Sequence, residues 1–222
     1  MTTQKNSKRS LAVVIGLALL LMAVIAAYSA PAISSAFVAG KPDVTALKVT
    51  EHFGKYIGAV IGWLMILILD LLVSLGVYNY YKKEHPKMAL ISAFLRFVYS
   101  LFLGTAIFQL LQISVASPAL AIYTSIQAFN SIWSWGLIVF GLHLMALGLL
   151  FKHEGGNRWP TIILKTLLIV AGTGYLILHT GILFTADPAA FTALVQAVFL
   201  LPMILGEVFF ALWMLIRGGK KT

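Results

Sequence analysis

Apolar residues run almost unbroken through six stretches of this chain, near residues 11–30, 56–80, 88–112, 130–151, 160–184 and 193–216. Polar breaks separate them: YYKKEHPK and KHEGGNRWP on one side, and residues 31–55, SVASPALAIYTSIQAFN and TADPAA on the other. A run of about 20 apolar residues crosses the hydrocarbon core of a bilayer. The pattern therefore predicts an all-α fold, a polytopic integral membrane bundle of six transmembrane helices forming a single transmembrane domain over residues 1–222. The first stretch follows KNSKRS, but its apolar length exceeds the roughly 7–15 residues of a signal-peptide core. Pro31 would also sit badly after a cleavage at Ala30, so a retained first helix is expected. The break at 31–55 is long enough to hold a short interfacial helix.

Composition agrees with this reading. The 222 residues are 60% hydrophobic and 10% charged, with no cysteine, whereas soluble domains carry about a quarter charged residues. Disulfides, zinc thiolate sites and iron–sulfur ligation are excluded, and no phosphate loop, H-E-x-x-H or G-x-S-x-G pattern occurs. The net charge of +9 is unevenly placed. Lys5, Lys8, Arg9, Lys82, Lys83, Lys87, Lys152, Arg158, Arg217, Lys220 and Lys221 fall on one side, with Lys165 just inside the fifth span. Lys41, Lys48 and Lys55 fall on the other. The positive-inside rule then predicts that both termini are cytoplasmic. The basic charge reads as a topology signal with membrane lipids as partners, not as a nucleic-acid surface. Trp63, Trp133, Trp135 and Trp159 lie near predicted span ends, where indoles anchor in the headgroup zone. Tyr78, Tyr80 and Tyr81 read as a cytoplasmic belt, and the spacing of Gly54, Gly58 and Gly62 as a close helix contact.

Four ionisable groups fall inside the spans: Asp70, Arg96, His143 and Glu207. At 1.5 Å per residue they lie about 13–18 Å from the nearest cytoplasmic-side cation, which places them in one layer. Each charge costs about 2.5–3.5 kcal/mol to insert, so mutual pairing is expected. Arg96 is the natural hub, because a guanidinium can hold two carboxylates at once. Ser74 lies one turn from Asp70, and Ser92 and Ser100 flank Arg96 by one turn each. With His143 neutral the cluster sums to −1, and one proton, on His143 or Glu207, would neutralise it. Such a layer serves either as a functional polar site or as a register-fixing ion network. One histidine and two carboxylates on separate helices do not make a metal site. No cofactor is expected either, since His143 and His179 differ in depth and cannot bracket a haem. His52 and His179 read as polar residues of the outer surface.

FGLHLMALGLLF, RWPTIILKTLLIVAGTGYLI and LPMILGEVFFALWMLIRG resemble the C-terminal half of a bacterial membrane family, domain of unknown function 4386. Asp70 in the second span and AFLRFV in the third fit as well, so the resemblance runs from about residue 56 onward and leaves the first outer loop outside. It implies six helices in a bacterial membrane and polar residues at Asp70, Arg96, His143 and Glu207, with no assigned activity. It also implies that some relatives carry a carboxylate one turn after the arginine, where this chain has Tyr99. The expected function is a binding or translocation site for a small or lipophilic ligand, with proton linkage. The alternatives are an intramembrane enzyme acting on a lipid or isoprenoid, with Glu207 and His143 as acid and base, and a structural or regulatory protein. Six spans are few for a monomeric transporter, which leaves a homodimer open.

Overall fold

A computed structural model describes residues 2–151 and 158–220, with side chains from residue 8 onward. Of the cations used above to orient the chain, Lys152 and Lys221, and the side chain of Lys5, lie outside the described residues. There are seven helices: α1 Thr2–Ser34, α2 Pro42–Glu51, α3 Phe53–Tyr81, α4 Pro86–Leu111, α5 Ala119–Leu149, α6 Trp159–Phe184 and α7 Pro188–Ile216. All but α2 are long and apolar enough to cross a membrane. The chain is thus a multi-pass helical membrane protein, and no strand occurs among the described residues. Proline marks the starts. It occupies the first or second helical position of α2, α4, α6 and α7, where its missing N–H costs nothing. Asp187 additionally caps α7 by accepting from Ala190 N at 3.1 Å.

Two boundaries differ from the hydropathy reading. Residues 119–129, expected in an outer connection, form the first three turns of α5. Their polar residues are diluted among Ala, Leu and Ile, and the segment packs on α2, so tertiary contact decides what hydropathy leaves marginal. Tyr123 adds a contact with the connection before α2: its hydroxyl accepts from Gly40 N at 2.9 Å and its ring stacks on Phe37 at 5.6 Å. The second difference is in the tryptophans. Trp63 is 2% exposed and packs against Phe129 and Trp133 at 5.4 and 4.8 Å. These indoles fill the α3–α5 interface instead of standing at a span edge, because α5 starts earlier than expected.

The spanning helices pack in chain order, α1–α3–α4–α5–α6–α7, and α7 returns to α1. Small residues set the crossings, as expected where lipid offers no hydrophobic drive between helices. Gly58 and Gly62 of α3 lie against Tyr28 and Ser29 of α1, while Gly141 and Gly172 bring the backbones of α5 and α6 together. Gly206 of α7 meets Ala171 of α6. The α1–α7 closure uses Gly16 against Ala211 and Leu215.

One end of the ring is tied by cations. Arg9 donates to the carbonyls of Met214, Leu215 and Gly218 at 3.1, 2.5 and 2.8 Å, satisfying the open end of α7 and opposing its dipole. Lys8 pairs with Glu84 and lies 4.7 Å over the Tyr80 ring. Tyr80 and Tyr81 are 6% and 5% exposed, so they pack inside this base and do not form a belt.

Candidate functional site

Asp70, Arg96, His143 and Glu207 come from α3, α4, α5 and α7, and their side chains meet. The helical period explains the convergence. On α3, Ile66, Asp70, Val73 and Val77 share one buried stripe, and on α4 Ser92, Arg96, Tyr99 and Leu103 share another. A charge on an inward stripe has nowhere to go except toward another inward charge.

Arg96 is the hub and is fully buried. Its Nη2 lies 2.6 Å from Asp70 Oδ1, and its Nη1 donates to Glu207 Oε1 at 2.8 Å and to His143 Nε2 at 3.2 Å. Because α4 and α7 are not ring neighbours, the Arg96–Glu207 bridge crosses the interior. The guanidinium also sits 5.6 Å from the Phe140 ring centroid.

This geometry assigns the histidine tautomer. An arginine N–H can only donate, so Nε2 of His143 accepts and the ring proton resides on Nδ1. Nδ1 then donates to the Ser92 carbonyl at 2.8 Å, with Ser92 Oγ at 3.1 Å. While Arg96 holds it, His143 is a neutral acceptor with no proton free at the cluster. The charges of Asp70, Arg96 and Glu207 therefore sum to −1.

The surplus charge is distributed unequally. Asp70 is 1% exposed, and neither of its oxygens has an aligned hydrogen-bond partner among the described residues. The charge of Arg96, 2.6 Å away, offsets that of Asp70. Glu207, by contrast, has a side chain 25% exposed. It is the accessible edge of an otherwise sealed cluster.

The serines and Tyr99 have different fates. Ser92 holds His143. Ser74 donates to the Ala93 carbonyl at 2.8 Å and Ser100 to the Arg96 carbonyl at 3.0 Å, so both hydroxyls are spent on α4 backbone. Tyr99 is buried, packs on Phe140 at 4.9 Å and lies within electrostatic reach of Asp70.

Two neighbours escaped the sequence reading, and a third was placed elsewhere by it. Phe140 sits three residues before His143 on the same face of α5, a spacing that could have flagged it. Tyr175 of α6 packs edge-on against Phe140 at 5.3 Å and lies within electrostatic reach of Glu207. His179, read as an outer-surface residue, is 8% exposed, stacks on Tyr175 at 6.0 Å and has Nδ1 3.3 Å from Ser134 Oγ. Among the described residues no group of three or more metal-ligating side chains occurs.

Comparison with known proteins extends the picture beyond the site. Residues 14–218 match the family described as domain of unknown function (DUF4386). The match begins within α1 and takes in residues 31–55, both of which the sequence motifs had left outside. An uncharacterised protein of Archaeoglobus fulgidus is 28% identical over 165 residues, covering 74% of this chain and 86% of that relative. No solved structure matches. With nearly the whole chain inside the match, this protein belongs to the DUF4386 family.

Proposed function

We propose that the Asp70–Arg96–His143–Glu207 cluster is a binding or translocation site for a small or lipophilic ligand in a bacterial plasma-membrane protein with both termini inside, and that a proton exchanges at Glu207. The observation that supports this is the pairing of a surplus negative charge with a single accessible carboxylate. Asp70, Arg96 and Glu207 leave one charge unbalanced, and only Glu207 among them has substantial exposure. A proton on Glu207 would neutralise the cluster and loosen its bond to Arg96, freeing guanidinium N–H groups for a ligand. A cation or polar ligand group arriving at Glu207 would have the same effect on charge. His143 holds Arg96 in place in this scheme and does not carry the proton.

A second reading, a register-fixing ion network, is favoured by the complete enclosure of Arg96 and near-complete enclosure of Asp70. A hydrophobic carbodiimide separates the two. It adds to a protonated carboxyl group and leaves a stable N-acylurea wherever it can reach one from the lipid or an internal cavity. In the full chain in liposomes, labelling is expected at Glu207, faster at lower pH, and absent at Asp70. No labelling at Glu207 between pH 5 and pH 8 would refute the accessible-carboxylate reading and leave the ion network standing.

A further inference from the structure

At the end of the bundle opposite the Arg9 ties, a cavity of about 190 Å³ lies between the end of α1, α2 and the start of α3. Its wall includes Lys48, His52 and Lys55, with Ser35, Val49 and Tyr56 completing much of it. We infer that this cavity binds a phosphate group, contributed either by free phosphate or by a phospholipid headgroup of the adjoining leaflet.

The charge arrangement points there. On this side the loops and helix ends carry Lys41, Lys48 and Lys55 as their only Lys or Arg residues, and two of these three line one small cavity whose lining residues include no carboxylate, Glu51 lying on the adjoining turn. Two ammonium groups sharing a cavity repel each other unless an anion lies between them. Internal acceptors are few. Lys48 Nζ donates to the Ser35 carbonyl at 3.3 Å, and the Tyr56 hydroxyl is committed to the Leu110 carbonyl at 2.8 Å. His52 stands at the N-cap of α3 and makes no side-chain capping bond. Size narrows the ligand class, because drug-sized molecules occupy about 300–1,000 Å³. A compact oxyanion is what the cavity can hold, with Val49 and the neighbouring alanines leaving an apolar flank for glycerol or acyl carbons if the phosphate belongs to a lipid.

The test uses the full chain in a neutral maltoside detergent. Inorganic phosphate is titrated by calorimetry, and retention of phosphatidylglycerol over phosphatidylcholine is read by native mass spectrometry. One or both ligands should bind, with affinity at least tenfold weaker in K48Q/K55Q, retained in K48R/K55R and unchanged in K41Q, whose lysine lies outside the cavity. Binding of inorganic phosphate identifies the free anion as a sufficient ligand, whereas retention of phosphatidylglycerol alone identifies the lipid headgroup. The inference is overturned if neither ligand distinguishes the wild type from K48Q/K55Q, or if K41Q loses as much, which would mean diffuse surface charge. Both lysines are exposed, so thermal unfolding without ligand should show K48Q/K55Q folded like the wild type.

Discussion

Replacing Arg96 by Met retains much of the side-chain volume and removes the charge, which isolates the electrostatic role of the hub. Asp70 then stays buried, at 1% exposure, with no cation beside it. Breaking a buried pair by removing one partner costs about 3–5 kcal/mol. The loss of the donor to His143 adds about 1 kcal/mol, while Glu207, 25% exposed, can rehydrate at little cost. Arg96→Met is thus expected to destabilise the protein by at least about 3 kcal/mol. Asp70→Asn in the same chain should recover most of that loss, because it removes the stranded charge. Alone, Asp70→Asn should cost less than Arg96→Met, since Arg96 remains paired with Glu207. Reversible unfolding in mixed micelles, followed by the fluorescence of the five tryptophans, reads all four corners of this cycle. The coupling between the two sites should reach about 2 kcal/mol, within the range seen for contacting residues. An Arg96→Met protein within about 1 kcal/mol of the wild type would refute the reasoning. So would a double variant no more stable than the single one, since Asp70 would then have found solvent or another partner.

The same assay checks the packing and the helix ends. A Cβ at Gly141 would stand 2.6 Å from the Gly172 carbonyl oxygen, a backbone atom that cannot swing away. Gly141→Val should therefore destabilise by more than the roughly 1–3 kcal/mol typical of overpacking. Nothing lies within 4 Å of a Cβ at Gly54, so Gly54→Ala should be neutral or stabilising by up to about 1 kcal/mol. Arg9→Gln removes the cation that satisfies three carbonyls at the end of α7. A loss of about 1–2 kcal/mol is expected, together with faster proteolysis of residues after Ile216.

Much of the fold is written in the chain as hydropathy, because a bilayer demands about 20 apolar residues per crossing and tolerates no unsatisfied backbone. The six spans were legible for that reason, and so was the helix within residues 31–55, though not its packing on α5. The start of α5 was not legible, since residues 119–129 are neither apolar enough to mark a span nor rich in turn residues. The misplacement of Trp63 and Trp133 followed from it. At the site, depth along each helix was readable from residue counting, and it brought Asp70, Arg96, His143 and Glu207 into one layer. Which hydroxyls serve the cluster was not, because a serine one turn from a charge can equally bond the backbone, as Ser74 and Ser100 do.

The sequence by itself determined that charges must be buried together at one depth, since hydrocarbon leaves an isolated charge no alternative. Only the tertiary structure decided how the layer is wired. The rotation of each helix about its axis, set by side-chain packing, seals Asp70, Arg96 and His143 and leaves Glu207 at the edge. Hydropathy reports how deep a residue lies, while side-chain packing sets the direction it faces, and the unequal exposure of the two carboxylates depends on that direction.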